Sequence, residues 1–379
     1  MSRPLKVVVV APWAERLGGA ENMLWTLLKH VDRGRVKLVV VFLEPGLFAD
    51  EVRQLGLHAE VLSADRLRNV RSYVRAVRVL AAILRRERPD LLLNWFPKTQ
   101  LYGAPAAVLA GMGERVVWWQ HGIPKGHWLD RLATLLPTRA IGCSSRHSAE
   151  AQARLWPHRQ TLVVCPGVEL VDPPGPEEVA QVRSQLGVPS GRPVVGIVGR
   201  LQPWKRQHHL IRALAELRNE GIDAHGLIVG GNAWNLSPGY EERLHRLVDE
   251  LGLRDSVTFT GQVPDATPYI AAMDVLVNAS EHEPFGIVLL EALALGVPVV
   301  AAASAGPTEI VEDGVSGFLV TGSDFKPASV LGRLLAHADL RDRVGREGQR
   351  QVVEKFAAGR MADQFENALS TLLAGEAKA

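Results

Sequence analysis

Short apolar runs alternate with segments of helical periodicity along the first half of the chain. The strands predicted from these runs are Leu5–Val10, Val36–Phe42, Asp90–Trp95, Arg115–Trp119, Ala140–Cys143 and Thr161–Cys165, and the predicted helices are Glu21–His30 and Tyr73–Arg88. Strands that alternate with helices indicate a parallel, doubly wound sheet of the α/β class. Near-continuous apolar strands such as Val7–Val10 suit burial on both faces of that sheet.

The same alternation restarts after a segment rich in Pro and Gly, residues 171–193, which we interpret as a linker. Its predicted strands are Val194–Val198, Gly226–Val229, Val257–Thr260, Val275–Ala279 and Val297–Ala301, and its predicted helices are Gln207–Asn219, Tyr240–Leu251 and Arg360–Leu373. A chain of 379 residues exceeds the size of most single cores. We therefore predict one α/β domain over 1–170 and a second over 194–358. A C-terminal helix within 359–379 is expected to pack back toward the first.

Composition narrows the function classes. The chain is 47% hydrophobic and 22% charged, as in globular enzymes, and its net charge of +2 is too small to indicate nucleic-acid binding. The absence of an uncharged apolar run of about 18 residues argues against a membrane-spanning helix. Cys143 and Cys165 have neither metal nor redox spacing, which favours a reducing compartment. We expect a cytoplasmic protein, either free or peripheral at the inner face of the membrane.

Two acids eight residues apart, Glu283 and Glu291, are the strongest chemical signal. The segment after Gly286 is apolar almost all round, which predicts a helix buried on every side, and Glu291 is its one charge. A buried carboxylate costs several kcal/mol unless protein groups or a hydroxyl-bearing ligand hydrogen-bond it. Glu283 lies roughly 12 Å away along the helix axis. Pro284–Gly286 opens the helix with free N–H groups that favour an anion. A nucleotide sugar, with sugar, phosphates and ribose in line, fits this span.

Two cations, Arg200 and Lys205, follow the strand at 194–198. Residues past the carboxyl ends of parallel strands line the ligand crevice, so both could bind a diphosphate, although solvated surface cations are the alternative. Metal-dependent sugar transferases usually present a D-x-D pair, and no two aspartates here stand two apart. We therefore predict neither a metal nor a cofactor, with these cations and the helix amides supplying positive charge. Motifs of NTPases, NAD dehydrogenases and α/β-hydrolases are missing from the sequence.

Six motifs carry a resemblance to a known family. They are G-R-x(4)-K at 199–205, FTG at 259–261, SEHEPFGIVLLEALALGVPVVA at 280–301, GPTEIVEDGVSGFLV at 306–320, GGAE at 18–21 and WQHG at 119–122. Together they resemble the retaining glycosyltransferases of family 4 over nearly the whole chain. The resemblance implies a GT-B fold, two Rossmann-like domains facing a central cleft, with a nucleotide-sugar donor. It also implies transfer with retained anomeric configuration, in polysaccharide or glycolipid biosynthesis.

The resemblance also implies roles for the residues that match the family motifs in the second domain. Arg200 and Lys205, after Gly199, would bind the diphosphate, and Glu291 would accept hydrogen bonds from the ribose. Glu283 would bind hydroxyls on the far side of the transferred sugar; a helix-capping acid is the alternative. Main-chain groups would supply the remaining donor contacts, from Phe285, Gly286 and Ile287 to sugar and phosphate and from Gly261 to Val263 to the base.

In the first domain the resemblance points to two places. Gly18 and Gly19 would let the backbone approach the phosphates closely, as glycine permits at tight turns. His121 matches the family histidine near the anomeric centre and the primary hydroxyl of the donor sugar; the alternative is an ordinary polar residue at a strand end. With Glu283, Arg200 and Lys205, His121 completes the predicted catalytic set.

The sequence indicates the acceptor less clearly than the donor. First-domain loops, including Asn94–Gln100 and Ile123–Trp128, would carry it, and it could be a glycan, a lipid-linked glycan or a small molecule. Arg66–Arg88 contains eight Arg and one Glu among apolar residues. This segment is either a basic amphipathic face for anionic lipid headgroups or a solvated helix face.

Other activities remain compatible with the same scaffold. A sugar-nucleotide epimerase or a phosphorylase would use a similar nucleotide site, and a non-catalytic nucleotide-sugar-binding subunit would keep binding without turnover. Four charged residues at the predicted site, Glu283, Glu291, Arg200 and Lys205, argue against the non-catalytic alternative. The base and sugar of the donor and the oligomeric state are left open by the sequence.

Overall fold

The computed structural model describes residues 3–16, 18–64, 69–232, 236–322 and 324–374. The chain divides into two compact units. The first unit comprises residues 1–167 and 358–379, and the second comprises 168–357. Each unit is a parallel sheet with helices, and each is described separately below.

Seven parallel strands form the sheet of the first unit, in the order β3-β2-β1-β4-β5-β6-β7. The strands are β1 (Leu5–Ala11), β2 (Val36–Phe42), β3 (His58–Val61), β4 (Leu91–Asn94), β5 (Val116–Gln120), β6 (Ala140–Cys143) and β7 (Thr161–Val163). The chain builds outward from β1 to β3 and then crosses to β4, so the order reverses between β1 and β4. Val7–Val10 are fully buried, as the continuous apolar run predicts.

The helices of the first unit connect these strands. They are α1 (Gly19–His30), α2 (Phe48–Gln54), α3 (Val70–Glu87), α4 (Pro97–Leu109), α5 (Trp128–Leu135), α6 (Arg146–Ala153) and the C-terminal α15 (Ala358–Ala374). Helix α15 packs against α1. The buried Glu366 of α15 fixes this contact, because its carboxylate pairs with Arg35 at 2.7 Å and accepts a hydrogen bond from Asp32 N.

Six parallel strands form the sheet of the second unit, in the order β10-β9-β8-β11-β12-β13. They are β8 (Val194–Val198), β9 (His225–Val229), β10 (Val257–Gly261), β11 (Val275–Asn278), β12 (Val299–Ala302) and β13 (Phe318–Val320). The order reverses between β8 and β11. The helices are α7 (Pro176–Gln185), α8 (Gln207–Asn219), α9 (Tyr240–Glu250), α10 (Thr267–Ala271), α11 (Ile287–Ala294), α12 (Pro307–Ile310), α13 (Ala328–Ala336) and α14 (Ala338–Lys355).

Some elements differ from the sequence predictions for identifiable reasons. Helix α4 begins at Pro97, so most of the predicted acceptor loop Asn94–Gln100 is the first turn of a helix. Thr99 caps that turn by bonding the backbone of Phe96. Strand β12 begins at Val299 rather than Val297, because Pro298 has no N–H for the ladder and contributes only its carbonyl, to Leu276 N. The predicted linker 171–193 contains α7, with Pro176 at its first turn.

Helices long and apolar enough to cross a bilayer are missing from the described part of the chain.

Candidate active site

The reversal point of the second sheet is where three residues predicted to bind the donor are found. Arg200 follows β8, and Lys205 ends the short 3₁₀ turn Pro203–Lys205. Glu283 lies between β11, the neighbouring strand, and α11. In open parallel sheets, ligands bind outside the carboxyl ends of the strands at such a reversal. The fold therefore brings these three side chains to the position where a ligand is expected.

Glu283 and Lys205 are paired, although 78 positions separate them. Lys205 Nζ lies 2.5 Å from Glu283 Oε2, and Asn278 Nδ2 donates to the same oxygen at 3.4 Å. Burial alone would raise the pKa of Glu283, but the Lys205 charge and hydrogen bonds from Lys205, Ser280 and Asn278 hold it below its usual value. Glu283 is therefore a carboxylate at neutral pH, suited to accept hydrogen bonds from hydroxyl groups.

Arg200 is a half-buried cation just after β8. Its carbonyl accepts a hydrogen bond from the buried Gln207 side chain at 2.9 Å, which fixes the backbone. Within the described residues its half-buried guanidinium forms no ion pair or hydrogen bond. A half-buried cation with no partner is ready to bind an anion.

The start of α11 presents backbone donors. Among the described residues, the N–H groups of Phe285, Gly286 and Ile287 form no hydrogen bond. Gly286 has φ 108°, a conformation that favours glycine. Gly306 packs against this turn so closely that a Cβ there would lie 2.2 Å from Phe285 Cα, and its N–H donates to Glu283 O at 3.0 Å. The loop after β12 thus holds the turn that exposes these donors.

Glu291 is an acid on the second turn of α11. Among the residues that the structure describes, its carboxylate forms neither a hydrogen bond nor an ion pair. Burial and the nearby charge of Asp265 raise the pKa of Glu291 to about 7. The helix is less enclosed than its sequence indicates, because Ile287, Val288 and Glu291 are half-buried on one side. The prediction that α11 is buried on every side is therefore wrong, and this side is open to a ligand.

Glycines bring the ends of three neighbouring strands together. Gly199 follows β8 with φ 146°, and a Cβ at Gly230 would lie 2.3 Å from Gly199 O. Gly261 ends β10 with φ 67°, and its carbonyl accepts from Gly230 N at 3.0 Å. Val263 is half-buried in the loop that follows. The main-chain contacts to the base stay a prediction at this backbone.

Gly18 caps α1 with φ −164°, which is extended backbone that any residue adopts. A Cβ at Gly18 would lie 3.0 Å from Glu21 Oε2, so the site favours a residue without a side chain. Its close approach to the phosphates stays a prediction. Glu21 is itself held by Trp13 Nε1 at 3.0 Å. Gly19 is exposed in the first turn of α1.

His121 follows β5 in the first unit and lies among aromatic rings. The rings of Trp95 and Phe96 are each 4.8 Å from it, centroid to centroid. Burial lowers the pKa of His121 to about 3, so the imidazole is neutral at working pH. Its Nε2 is buried with no hydrogen-bond partner in the described structure. The sequence prediction missed Trp13 and Phe96 beside this histidine; aromatic residues directly after β1 and β4 were the available signal.

One cluster among the described residues has metal-ligating chemistry. His58, Glu60 and Glu87 lie at the β3 edge of the first unit, but Arg86 already contacts both acids. No group of this kind includes Glu283 or Glu291 within the described residues.

Sequence comparisons identify the family. Residues 178–351 match the family model for glycosyl transferases group 1, and residues 17–195 match the model for glycosyltransferase family 4. The lipopolysaccharide core biosynthesis glycosyltransferase LpsE of Rhizobium meliloti (strain 1021) is 32% identical over 285 residues, covering 74% of this chain and 76% of that protein. The chain belongs to the family 4 glycosyltransferases.

Further relatives are also similar to this chain. The D-inositol 3-phosphate glycosyltransferase of Nocardia farcinica (strain IFM 10152) is 40% identical over 204 residues, which cover 52% of this chain and 43% of that protein. The structure of Anabaena Alr3699/HepE in complex with UDP and glucose superposes with a TM-score of 0.84 and 28% identity, covering 97% of this chain and 99% of that one. These relatives and the two parallel sheets confirm the predicted two-domain GT-B fold, and the chain is a glycosyltransferase.

Proposed function

We propose that this glycosyltransferase transfers a sugar from a nucleoside diphosphate to an acceptor hydroxyl, with retained anomeric configuration and without a metal ion. One observation carries the proposal: Arg200 and Glu291, a cation and an acid without protein partners among the described residues, lie around the same ligand edge as the Lys205–Glu283 pair. A diphosphate supplies the missing anion and a ribose supplies the missing hydroxyl donors.

The site chemistry suits a leaving diphosphate. As the bond between the sugar C1 and the phosphate oxygen breaks, negative charge grows on the diphosphate. Arg200, Lys205 and the free N–H groups at the start of α11 stabilise that charge without a metal. The acceptor oxygen forms the new bond to C1, and its proton passes to the departing phosphate oxygen on the same face. Glu283, an ionised acceptor of hydrogen bonds, orients the sugar hydroxyls and forms no covalent bond.

Relatives suggest where to look for substrates. Alr3699/HepE has been crystallised with UDP-glucose, so a UDP-sugar is the first donor to test. The LpsE relative acts in lipopolysaccharide core biosynthesis, which favours a saccharide acceptor, free or lipid-linked. We also propose His121 as a neutral hydrogen-bonding group for the donor sugar.

Proton NMR of the reaction tests transfer, configuration and metal use together. UDP-glucose is incubated with enzyme and a pool of saccharide acceptors in excess EDTA, and the anomeric coupling of the product is read. We expect a new α-glycosidic signal and UDP formed only when acceptor is present. Interconversion of donor sugars would instead indicate an epimerase, and UDP-glucose binding without turnover a binding subunit. Activity that is lost in EDTA and restored by Mg²⁺ would refute the metal-free mechanism.

We also propose that α3 contacts an anionic membrane surface. Arg66 and Arg68 of the predicted Arg66–Arg88 segment lie outside the described residues. In the described part, Val70 is 69% exposed and Val79 41% exposed. Three exposed arginines lie between them, at 71, 75 and 78. An exposed face that mixes aliphatic and cationic side chains suits lipid headgroups.

A neighbouring helix adds apolar surface of the same kind. Helices α3 and α5 both pack against α4, and α5 exposes Trp128, Leu132 and Leu135 at helical spacing. Sedimentation with phosphatidylglycerol vesicles tests this contact. We expect the wild type to bind in low salt, and Arg71→Glu/Arg75→Glu to weaken binding about tenfold or more, since each basic residue contributes about 1 kcal/mol near such a surface. Equal sedimentation of both proteins would show that this face of α3 is solvated and does not bind the membrane.

A further inference from the structure

The first unit has a ligand edge of its own, and half-buried aromatic rings line it. Its strand order reverses between β1 and β4. Trp13 follows β1, Phe96 follows β4 and His121 follows β5, the next strand. All three side chains are half-buried although large rings are costly to leave in water. The carboxyl edge at a reversal point is where a sheet of this type binds a ligand.

These rings form a fixed surface. The centroids of Trp13 and Phe96 are 5.6 Å apart, and those of Phe96 and His121 4.8 Å apart. Behind them the fully buried Trp95 and Trp119 stack at 5.5 Å. Contact distances of this size place each ring against the next. The three outer rings are therefore supported from the core of the unit.

Hydrogen bonds fix the orientation of two of these rings, Trp13 and Trp95. Trp13 Nε1 donates to Glu21 Oε1 at 3.0 Å, and Trp95 Nε1 donates to Ala20 O at 2.9 Å. Both acceptors belong to the first turn of α1. Because the indole N–H groups are already bonded, the rings offer their apolar faces rather than their donors. Because these side chains are already fixed, the surface loses little conformational entropy when a ligand binds.

Polar groups border the rings. Lys98 Nζ lies 5.6 Å from the centroid of Trp13 and 2.5 Å from Glu44 Oε1. This pair can offer both a donor and an acceptor to hydroxyl groups. Since its two charges offset each other, it favours a neutral ligand over a phosphorylated one. His121 Nε2 is buried with no hydrogen-bond partner in the described structure, an arrangement that costs free energy unless a ligand or water meets it.

We propose that Trp13 and Phe96 form a stacking platform for a neutral pyranose ring of the acceptor. This assignment rests on the proposed function, in which the second unit binds the donor. A pyranose has an apolar face of C–H groups and an edge of hydroxyls. The C–H face stacks on the two rings, and the hydroxyl edge meets the Lys98–Glu44 pair. The platform selects an acceptor whose accepting residue is a sugar ring rather than an open-chain alcohol.

Saturation-transfer difference NMR tests the platform without knowledge of the natural acceptor. Aromatic protons are saturated in the presence of UDP, and transfer is read at the C–H protons of methyl α-D-glucopyranoside, methyl α-D-mannopyranoside and methyl β-D-galactopyranoside. Glycerol is the open-chain comparison. We expect transfer to at least one pyranoside, strongest on one ring face, and none to glycerol. Trp13→Ala and Phe96→Ala should each weaken pyranoside binding about tenfold, as loss of an aromatic contact does.

Two further variants make the result specific. Trp156→Ala removes another exposed Trp of the first unit, 71% accessible, and should leave the transfer unchanged. Trp13→Phe keeps a ring and should retain part of the signal, which guards against a loss that merely reflects unfolding. The absence of transfer to any pyranoside, or equal transfer with Trp13→Ala, would overturn the platform.

A UDP titration of the wild type separates the two proposals. UDP binding without a pyranoside signal overturns the platform and leaves the donor site standing. Failure to bind UDP or any other nucleoside diphosphate overturns the proposed function itself.

Discussion

Glu283 and Glu291 lie eight residues apart, yet their surroundings shift their pKa in opposite directions. Both are buried enough for desolvation to favour the protonated form. Only Glu283 has a cation, Lys205, and hydrogen-bond donors to reverse that effect. Glu291 has the negative charge of Asp265 nearby instead. Glu283 is therefore ionised before any ligand binds, whereas the pKa of Glu291 lies near neutral pH.

Glu283→Gln tests the ionised acid. The amide keeps the shape but leaves Lys205 without its anion and weakens the bonds to the sugar hydroxyls. We expect turnover to fall about 100-fold or more, with a smaller change in UDP affinity. Steady-state kinetics with UDP-glucose measure this. Glu281→Gln is the matched control. Glu281 lies two positions away, its side chain is 47% exposed, and the variant's turnover should stay close to that of the wild type. Equal turnover in both variants would remove Glu283 from the catalytic set.

The raised pKa of Glu291 predicts that nucleotide binding depends on pH. Ribose hydroxyls donate to a carboxylate, so binding favours the ionised form, while the free protein with a pKa of about 7 is mostly protonated in acid. UDP affinity should therefore fall as the pH drops from 8 to 5.5, by about tenfold per unit well below the pKa. Calorimetric titrations across this range measure it, and Glu291→Gln should flatten the profile. A wild-type profile already flat would contradict the ribose assignment.

The sequence identifies some of these residues better than others. Glu291 stands out because a single charge in an apolar helix needs an explanation. The Lys205–Glu283 contact joins residues 78 positions apart, so only the parallel order of β8 and β11 reveals it. Trp13 and Phe96 read as ordinary apolar residues at strand ends, since sequence does not show that their rings stay half-buried.

At the scale of elements, continuous apolar runs fix the strands well because both faces of a parallel sheet are covered. β2, β6 and β8 have the bounds predicted from sequence. The edge strands β3 and β13 are missed because they are only four and three residues long, and β3 also contains the polar His58 and Glu60. Helix α4 is hidden by its buried polar residues, among them Thr99 and Gln100, which serve as a cap and as a hydrogen-bonding group inside the fold.

Gly306→Ala tests the packing of Gly306 against Phe285, which positions the backbone N–H groups at the start of α11. The added methyl would lie 2.2 Å from Phe285 Cα, so the backbone of this turn must move. We expect UDP affinity to fall about tenfold or more, and stability to fall by about 1–3 kcal/mol. Calorimetry and urea denaturation measure the two effects. Gly175→Ala, where no atom lies within 4 Å and φ is −65°, is the control. Unchanged UDP binding in Gly306→Ala would show that the turn does not contact the nucleotide.

At the scale of the whole molecule, the first unit is discontinuous in sequence. Its last helix, α15, comes after the entire second unit and packs on α1. Glu366 anchors it by binding both Arg35 and the backbone of Asp32. The amphipathic pattern of residues 360–373 predicts a helix, but the partner of that helix depends on this buried acid.

Glu366→Ala tests this anchor. Removing the carboxylate takes the acceptor from the Asp32 N–H and one of two acceptors from Arg35, which also donates to Asn367 Oδ1 at 2.8 Å, so we expect a loss of about 1–2 kcal/mol in the free energy of unfolding of the first unit. Urea denaturation followed by circular dichroism measures it. Asp363→Ala, an exposed acid one turn earlier on α15, should change stability by less than about 0.5 kcal/mol. Similar losses in the two variants would show that Glu366 does not anchor the helix.

The central claim is that a nucleoside diphosphate binds at the reversal point of the second sheet, between Arg200 and Glu291. Calorimetric titration of UDP in EDTA at pH 8 tests it most directly, with the wild type, Arg200→Ala, Glu291→Ala and the exposed control Arg254→Ala. The account predicts that UDP binds the wild type and the control equally, and each site variant about tenfold or more weakly. Equal UDP affinity in all four proteins would contradict it.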